Sequence, residues 1–229
     1  ASHRDELRRA SAPLPARMRP RTLDEVVGQR HLLAPGAAFR SMVEAGRISS
    51  MILWGPPGTG KTTLANLVAK EVDGTLERLS ATSAGVKDVR EVLARAEQRL
   101  GEDRGRTILF LDEIHRFNKA QQDALLPGVE DGTVTLVGAT TENPFFEVNS
   151  PLISRATVFR TEALSADEVE ELVRRAVADP MRGIGDVSVD DDAIAAIASR
   201  VGGDARLALN TIETAATIVF GRGASNVDV

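Results

Sequence analysis

The sequence predicts an α/β fold, in which a mostly parallel sheet is sandwiched by helices and followed by a small all-α domain. Between residues 51 and 160, short apolar runs typical of strands alternate with segments of helical apolar spacing. The run at 108–111 is uninterrupted, as expected of a strand buried on both faces. From residue 165 onward the pattern is helical only. Alternating strands and helices form βα units, and such units build parallel sheets.

The elements of the first part follow from these patterns. Strands are predicted at 51–54, 75–80, 106–111, 133–138 and 156–160. One helix begins near residue 61, directly after a glycine-rich turn. A second covers 86–100, where Val86, Val89 and Leu93 recur at helical spacing, and a third lies around 119–126.

The last part reads as three helices. Ser165 and Glu168 have the spacing of a capping box, which opens a helix that Pro180 stops. Two more helices are predicted at 190–200 and 204–220, each with Asp near its start, where the helix dipole favours negative charge. We therefore divide the chain into a basic N-terminal arm (1–20), an α/β core (21–163) and a helical domain (164–229).

Composition is that of a globular protein of one or two domains. The 229 residues are 42% hydrophobic, carry a formal net charge of −5 and include no cysteine. Disulfides and thiolate metal sites are thereby excluded. No apolar run approaches the roughly 18 residues of a membrane span, and no apolar segment follows the basic N-terminus. We expect no membrane partner and a cytoplasmic location.

Charge is unevenly distributed along the chain. From residue 162 onward there are thirteen acidic residues against six arginines, which leaves 20 acidic and 22 basic residues for the first 161. The arm is rich in arginine and proline, with Arg4, Arg8, Arg9, Arg17 and Arg19. We expect the arm to be a solvated, poorly ordered tail; contact with nucleic acid is the alternative.

A phosphate-binding loop is predicted at residues 55–63, which read Gly-Pro-Pro-Gly-Thr-Gly-Lys-Thr-Thr. In such loops the backbone N–H groups point at phosphate oxygens, because glycine tolerates the required dihedrals. We expect Lys61 to reach the β and γ phosphates of ATP, and the Thr62 hydroxyl to ligate the bridging Mg²⁺. The predicted nucleotide-binding set of the loop is Gly55, Pro57, Gly58, Thr59, Gly60, Lys61, Thr62 and Thr63.

A pair of carboxylates follows the apolar strand at 106–111. Asp112 ends this strand, which we expect beside the strand of the phosphate loop, where its carboxylate can hold Mg²⁺ through water. Glu113 is predicted to point to the other face and to polarise the attacking water as general base. His115 is expected to orient a neighbour by hydrogen bonding, because no second histidine lies nearby to share a metal.

With these motifs the chain resembles the AAA+ ATPases, and within them the clamp-loader-like group, from residue 15 to its C-terminus. The resemblance implies an AAA+ P-loop NTPase core followed by a helical lid. Residues 19–29, Arg-Pro-Arg-Thr-Leu-Asp-Glu-Val-Val-Gly-Gln, are similar to the segment that packs against adenine in clamp loaders and branch-migration motors. By this resemblance Val27 lines the base pocket; an amphipathic surface segment is the alternative.

Three further segments resemble AAA+ motifs in the family order. The sequence Val-Gly-Ala-Thr-Thr-Glu-Asn-Pro at 137–144 is similar to sensor 1, with Thr141 as the polar sensor of the γ-phosphate and Thr140 as the alternative. The pair Ser154-Arg155 resembles the segment of the arginine finger, which implies that Arg155 acts in the site of a neighbouring subunit. Ala156 departs from the cysteine often found there.

The third segment, Gly-Asp-Ala-Arg-Leu-Ala-Leu-Asn at 203–210, resembles the sensor 2 helix, and the resemblance implies that Arg206 reaches the phosphates from the lid. For each of these arginines the alternative is a surface ion pair. Ser80 matches the polar residue that in this superfamily can hold the catalytic glutamate in an inactive rotamer, with a plain strand-end serine as the alternative.

The residues at 117–123, 138–144 and 146–150 look like those of the replication-associated recombination protein A family, also called MgsA, to which the eukaryotic Werner-helicase-interacting protein is related. This resemblance implies a Mg²⁺-dependent, DNA-stimulated ATPase at stalled or gapped replication forks, associated with the nucleoid. It implies single-stranded, forked or gapped DNA and the single-strand-binding protein as partners. It also implies a homo-oligomer formed through a C-terminal region that lies beyond residue 229.

Other functions share part of this signature. A clamp-loader subunit and a Holliday-junction branch-migration motor carry the same motifs. A non-hydrolysing AAA+ structural subunit would bind nucleotide only to hold an assembly together, and the intact Lys61, Asp112, Glu113 and Arg155 argue against it. A small-molecule P-loop kinase would lack the helical lid.

Overall fold

The structure is a computed structural model that describes residues 12–102 and 105–228. These residues divide into two compact units, described separately. The core unit comprises residues 30–56 and 60–162, and the helical unit comprises 12–29, 57–59 and 163–228. The predicted domain boundaries stay a prediction.

Five parallel strands form the sheet of the core unit, and a ladder of two short strands lies in the helical unit. The strands are β1 (Met51–Trp54), β2 (Thr75–Ser80), β3 (Thr107–Asp112), β4 (Val134–Thr140), β5 (Thr157–Arg160), β6 (Ser188–Val189) and β7 (Asn226–Val227). Each predicted strand of the core is present: β1 and β2 match the predicted ends, and the ends of β3, β4 and β5 differ from the prediction by no more than two residues.

The helices of the described residues alternate with the strands in the core unit and dominate the helical unit. They are α1 (Leu14–Arg17), α2 (Arg30–Leu33), α3 (Ala38–Glu44), α4 (Lys61–Glu71), α5 (Val86–Gly101), α6 (Lys119–Glu130), α7 (Pro144–Glu147), α8 (Ser150–Ile153), α9 (Ala166–Ala178), α10 (Asp191–Arg200) and α11 (Ala205–Gly221). Short 3₁₀ turns add Leu23–Glu25 and Ile114–Arg116. No helix of the described residues is long and apolar enough to cross a membrane.

The order of the strands in the sheet is β2-β3-β4-β1-β5. The expectation that the strand of Asp112 lies beside the strand of the phosphate loop is therefore wrong, because β4 pairs with both β1 and β3. All three strands are almost entirely buried. Hydrophobicity therefore identifies them as central strands but cannot say which two are neighbours.

Helix α6 runs to Glu130, although the sequence predicts an end near 126. Pro127 lies inside it and cannot donate the usual backbone hydrogen bond. Gly128, directly after it, is nevertheless buried: a Cβ added there would lie 2.4 Å from a methyl carbon of Leu93 on α5. We attribute the continuation to this close packing of α6 on α5, which outweighs the lost bond.

Ion pairs connect the edge strand β2 to helix α5. Glu77 on β2 accepts hydrogen bonds from Arg95 (3.0 and 3.1 Å) and from Arg99. These hydrogen bonds, first that of Arg95, lower the pKa of the Glu77 carboxyl to about 2 against the opposing effect of burial. Because the folded pKa is depressed, this stabilisation is present above the ordinary value of 4.5 and is lost as the pH falls toward 2.

The helical unit packs α9, α10 and α11 around one apolar core that includes Val169, Val173, Ile194 and Ile212. The predicted capping box is confirmed: Glu168 N donates to Ser165 Oγ (3.2 Å) and Ser165 N donates to the Glu168 carboxylate (2.9 Å). The ladder of β6 and β7 was not predicted, since two-residue strands carry no usable alternation.

The described part of the N-terminal arm is docked on the helical unit. Leu14 is 0% exposed and Met18 is 7% exposed, and both belong to the apolar core of that unit. Leu14 N donates to both carboxylate oxygens of Glu213 on α11 (2.9 Å), and Arg17 pairs with the same carboxylate at 3.2 Å. The expectation of a solvated tail is therefore wrong for residues 14–18, because two apolar residues one helical turn apart supply a face to bury. Arg4, Arg8 and Arg9 lie outside the described residues.

Candidate functional site

The phosphate loop connects β1 to α4, and two of its glycines have left-handed backbone. The φ angles are +70° at Gly58 and +94° at Gly60. A Cβ on Gly60 would meet nothing within 4 Å. Backbone conformation rather than space therefore explains Gly60, since residues with a Cβ rarely adopt this region.

Gly55 is required for a different reason. A Cβ at this position would lie 2.1 Å from the carbonyl oxygen of Thr161, just after β5. Thr161 N donates to Trp54 O (2.7 Å), and this bond brings the two chain segments together. Because Gly55 has no Cβ, the loop can leave β1 directly beside the carbonyl group of Thr161.

Lys61 is the first residue of α4 and is only 9% exposed. Its Nζ donates to the carbonyl oxygens of Gly55 (2.7 Å) and Pro56 (2.6 Å), so the ammonium group is held at the loop. The N-cap residue of α4 is Gly60, which provides no side-chain cap. The first backbone N–H groups of this 11-residue helix therefore have no capping side chain, which is the arrangement that binds anions.

Asp112 and Glu113 follow each other at the carboxyl end of β3, and both are partly buried. Glu113 has φ +58°, and its backbone N–H donates to Asp112 Oδ1 (3.1 Å). Because Glu113 lies outside the strand and in the left-handed region, strand alternation does not determine the direction of its side chain. The direction of the Glu113 side chain is therefore set by a local turn and not, as predicted, by strand alternation.

His115 lies in the 3₁₀ turn that follows and contacts two polar groups. Its Nε2 is 3.3 Å from Glu113 Oε2, and its Nδ1 is 2.9 Å from Thr140 Oγ1. Thr140 is the last residue of β4 and is fully buried. The expected contact of His115 with a neighbour is present, but sequence reasoning missed Thr140 as its partner, since strand order is needed to bring β3 and β4 side by side.

Thr140 and Thr141 differ in their surroundings. Besides contacting His115, Thr140 Oγ1 accepts from Glu142 N (3.0 Å) and lies 3.1 Å from Glu142 O. Thr141 is half-buried just beyond the strand. The Thr140 hydroxyl is thus engaged within the protein, which supports Thr141 as the sensor. Ser80 contacts Thr82 Oγ1 (2.8 Å), whereas the carboxylate of Glu113 lies against His115.

Arg155 follows α8 and is held by acidic and polar neighbours. Its Nη2 lies 2.6 Å from Glu130 Oε1 at the end of α6, and Nη1 donates to Pro151 O and Ser154 Oγ (2.9 and 3.1 Å). Its side chain is 40% exposed. In the single chain, therefore, the guanidinium group forms a surface ion pair.

Arg206 is the second residue of α11 and is exposed. The first residue of this helix is hydrogen-bonded to a residue of the phosphate loop that belongs to the same unit. Ala205 N donates to Gly58 O (3.2 Å), and a Cβ on Gly58 would lie 1.8 Å from Asp204 Oδ1. Asp204 in turn caps α11 by accepting from Leu207 N at 2.9 Å. Only glycine can occupy position 58 beside this cap.

Val27 is half-buried and lines a cavity of about 310 Å³ in the helical unit, together with Met18, Pro20, Leu172 and Ala178. Charged residues also line the cavity. There Arg182 bonds to both Glu25 (3.1 Å) and Asp179 (2.7 Å).

Burial opposes ionisation of Glu25, but hydrogen bonds from Arg182 and from the backbone of Arg21 lower its pKa overall. The hydrogen bond from Arg182 likewise lowers the pKa of Asp179. These groups therefore stay charged, and the lining of the cavity combines apolar residues with ion-paired ones. The base-pocket role of Val27 stays a prediction.

The donor set at the loop fits a magnesium nucleotide. Mg²⁺ prefers oxygen ligands and is commonly bound by one or two protein groups together with phosphates and water. Thr62 and Asp112 offer such oxygens. The described residues contain no cluster of three or more His, Cys, Asp or Glu side chains that could hold a metal without a substrate.

In a sheet of order β2-β3-β4-β1-β5, a glycine-rich loop that holds a lysine follows β1, and acidic residues lie at the end of β3. These features define a P-loop nucleotide-binding protein. The profile of the family described as "ATPase family associated with various cellular activities (AAA)" matches residues 51–163. The chain belongs to this AAA family of ATPases and, within it, to the replication-associated recombination protein A family. The predicted fold class and family are confirmed, and the prediction of an ATPase is confirmed at the level of the family.

Individual relatives agree with this assignment. Replication-associated recombination protein A of Escherichia coli (strain K12) is 54% identical over 203 residues, which are 88% of this chain and 45% of that protein. ATPase WRNIP1 of Dictyostelium discoideum is 43% identical over 91% of this chain and 24% of its own length. The RuvB Holliday junction branch migration motor of Thermotoga maritima has a TM-score of 0.76 and 30% identity, covering 93% of this chain and 70% of that one. The chain thus spans about half the length of the bacterial recombination proteins that it matches.

Proposed function

We propose that this chain is the ATP-hydrolysing part of a protein that maintains DNA during replication and recombination. One observation carries the proposal: β1 and β3 flank β4, and the phosphate loop and the Asp112-Glu113 pair lie at the carboxyl ends of these two strands. Trp54 is in register with Thr140, and Leu111 is in register with Gly138. A nucleotide on the loop would therefore have its terminal phosphate directed toward these carboxylates.

Within the core unit we assign the following roles. Lys61 binds the β and γ phosphates, with the backbone N–H groups of the loop. Mg²⁺ held by Thr62 and Asp112 would neutralise phosphate charge. Glu113 orients and deprotonates the attacking water, and Thr141 donates its hydroxyl to the γ-phosphate.

Two arginines complete the proposed site. Arg206 contacts the phosphates from α11, whose start is bonded to Gly58. Arg155 acts as an arginine finger in the site of a neighbouring subunit, where it exchanges Glu130 for phosphate oxygens. Phosphoryl transfer relies on positioning and electrostatic stabilisation, so each added cation raises the rate without forming a covalent bond.

The DNA-related part of the proposal comes from the relatives, whose names refer to replication, recombination and branch migration. We propose DNA-stimulated hydrolysis at stalled or gapped forks, on single-stranded, forked or gapped DNA bound by a homo-oligomer. The single-strand-binding protein is the proposed partner, and the proposed location is cytoplasmic and nucleoid-associated. The proposed domains are the arm (1–20), the core (21–163) and the lid (164–229).

A branch-migration motor is the second candidate, favoured by the structural similarity to RuvB. A clamp-loader subunit and a non-hydrolysing structural subunit are further alternatives. The rate of ATP hydrolysis, measured with single-stranded, gapped, forked and four-way-junction DNA, separates them. We expect the largest stimulation by single-stranded or forked DNA; selective stimulation by the four-way junction would favour the motor.

The matched control is Glu113→Gln, which keeps the size and polarity of the side chain but cannot accept the proton of water. We expect this variant to bind Mg-ATP and to lose hydrolysis with every DNA. If wild type and variant are equally inactive in the assembled oligomer with every DNA, the non-hydrolysing alternative is correct.

A further inference from the structure

His115 connects the end of β4 to the carboxylate of Glu113. Its side chain is 9% exposed, and it lies between Thr140 Oγ1 at 2.9 Å and Glu113 Oε2 at 3.3 Å. None of the roles proposed above uses this imidazole. We propose that His115 is a positioning residue for Glu113, and that the Thr140 hydroxyl fixes the tautomer that this task requires. The inference rests on the proposed role of Glu113 in orienting water.

The 3.3 Å contact of His115 Nε2 with Glu113 Oε2 is an approach of two polar atoms, and the hydrogen-bonding capacities of the groups determine which tautomer lets it act as a hydrogen bond. An ionised carboxylate only accepts hydrogen bonds, so Nε2 of His115 must carry the hydrogen that faces Glu113. In a neutral imidazole the other nitrogen, Nδ1, is then an acceptor. For a neutral imidazole to hold Glu113 through Nε2–H, Thr140 donates its hydroxyl hydrogen to Nδ1. The chain of donors runs from Thr140 through His115 to Glu113.

Thr140 has a second possible acceptor for the same hydrogen. Its Oγ1 accepts from Glu142 N at 3.0 Å and lies 3.1 Å from Glu142 O. One hydroxyl hydrogen serves either the imidazole or this carbonyl oxygen. When it turns to Glu142 O, a neutral His115 must donate from Nδ1, and its Nε2 loses the hydrogen that Glu113 needs. The orientation of one buried hydroxyl group thus decides whether Glu113 is held.

The position of Thr140 gives this hydroxyl group a link to the phosphate-binding elements. Its backbone oxygen accepts from Gly55 N, the first residue of the phosphate loop, at 3.1 Å. The next residue is Thr141, the proposed γ-phosphate sensor. Because Thr140 is 0% exposed, water does not compete for its hydrogen bonds. The hydroxyl group that would fix the tautomer of His115 therefore belongs to a residue that bonds to the phosphate loop and precedes the proposed sensor.

The tautomer of His115 can be read directly by ¹⁵N–¹H correlation of the imidazole nitrogens at about pH 8, because the chain has only three histidines. Loss of the His115 signals in His115→Gln identifies them. We expect the Nε2–H tautomer in the wild type and in Thr140→Ser, and an increased Nδ1–H population in Thr140→Val. An Nδ1–H tautomer in the wild type would overturn the inference and leave the proposed function unaffected.

Single-turnover hydrolysis tests whether the contact matters for the reaction. A Gln side chain can place an amide N–H near the position of Nε2, whereas Asn reaches only the position of Nδ1. We expect His115→Gln to keep the rate within about threefold and His115→Asn to lower it about tenfold, with Mg-ATP affinity unchanged in both. A rate in His115→Asn equal to that of the wild type would refute the positioning role.

The sharpest comparison is Thr140→Val in two backgrounds. In the wild-type background we expect a loss of about tenfold, whereas in His115→Gln we expect no further loss, because an amide has no tautomer to fix. Equal losses in both backgrounds would mean that Thr140 supports the fold rather than the imidazole, and the inference would be wrong. Glu113→Gln, measured alongside, tests the proposed function separately: normal hydrolysis in that variant refutes the role of Glu113 itself.

Discussion

The phosphate loop and the segment of Arg155 each present a cation proposed to act on ATP, but they hold it in different ways. Lys61 is nearly buried, and its ammonium bonds to carbonyl oxygens five and six residues away in the chain. Arg155 is 40% exposed and pairs with Glu130 from another helix. The loop therefore positions its cation by local backbone geometry, whereas Arg155 must exchange a carboxylate for phosphate before it can act. In the proposed function Lys61 serves its own site, and Arg155 serves the site of a neighbouring subunit.

The largest effect is expected from removing the cation of the loop. Lys61→Ala should weaken Mg-ATP binding by at least about 100-fold, because several charge-assisted hydrogen bonds to phosphate are lost. Isothermal titration calorimetry measures this. Lys70→Ala, an exposed lysine on the same helix, is the matched control and should bind normally. Unchanged affinity in Lys61→Ala would refute the phosphate loop assignment.

The second prediction tests whether Arg155 works on a neighbouring subunit. Arginine fingers contribute roughly 10³ to 10⁵ in rate, so an isolated chain should bind Mg-ATP but hydrolyse it slowly. In the assembled oligomer Glu113→Gln and Arg155→Ala should each be nearly inactive. A mixture that exchanges subunits should recover hydrolysis wherever an intact Glu113 faces an intact Arg155. If the exchanged mixture stays inactive, Arg155 acts on its own site or is structural.

The third prediction separates Arg155 from the carboxylate that holds it. Glu130→Gln should change the free energy of unfolding by less than about 1 kcal/mol, because both side chains are substantially exposed. Since Glu130 must be given up for phosphate, we expect ATP hydrolysis in the oligomer to stay equal or to rise, by up to about threefold. Glu97→Gln, an exposed glutamate on α5, is the control. A loss as large as that of Arg155→Ala would show that Glu130 positions the finger in the assembled state.

The smallest effect concerns the strand that enters the loop. Trp54 is the only tryptophan, there is no tyrosine, and the Arg160 guanidinium carbon lies 5.5 Å from the indole ring centre. Binding of ATP at Gly55 and Lys61 should alter these surroundings and change the emission by about 10%, since a nearby cation interacts with the ring. The Lys61→Ala variant serves as control and should show no change. Emission that ignores saturating ATP in the wild type would mean that β1 is insulated from the loop.

Much of the core could be predicted because its signals are local in the chain. The buried runs of β1, β3 and β4, the glycines at 58 and 60 and the capping box at Ser165 each depend on neighbouring residues. The predictions that failed depend instead on contacts between residues that are distant in the chain. The sequence predicts that α6 ends near residue 126, but the helix continues through Pro127 to Glu130, with Gly128 packed against Leu93.

The sequence by itself determined the phosphate loop, the placement of Lys61 within it, and the presence of two carboxylates at the end of a buried strand. Tertiary structure alone decided that β4 lies between β1 and β3, and hence that Thr140 meets His115. It also decided that Glu130 holds Arg155 and that Leu14 is buried. The physical reason is range: backbone dihedrals and helix caps are set by adjacent residues, whereas strand neighbours and ion pairs depend on how distant segments pack, for which a single sequence carries no direct signal.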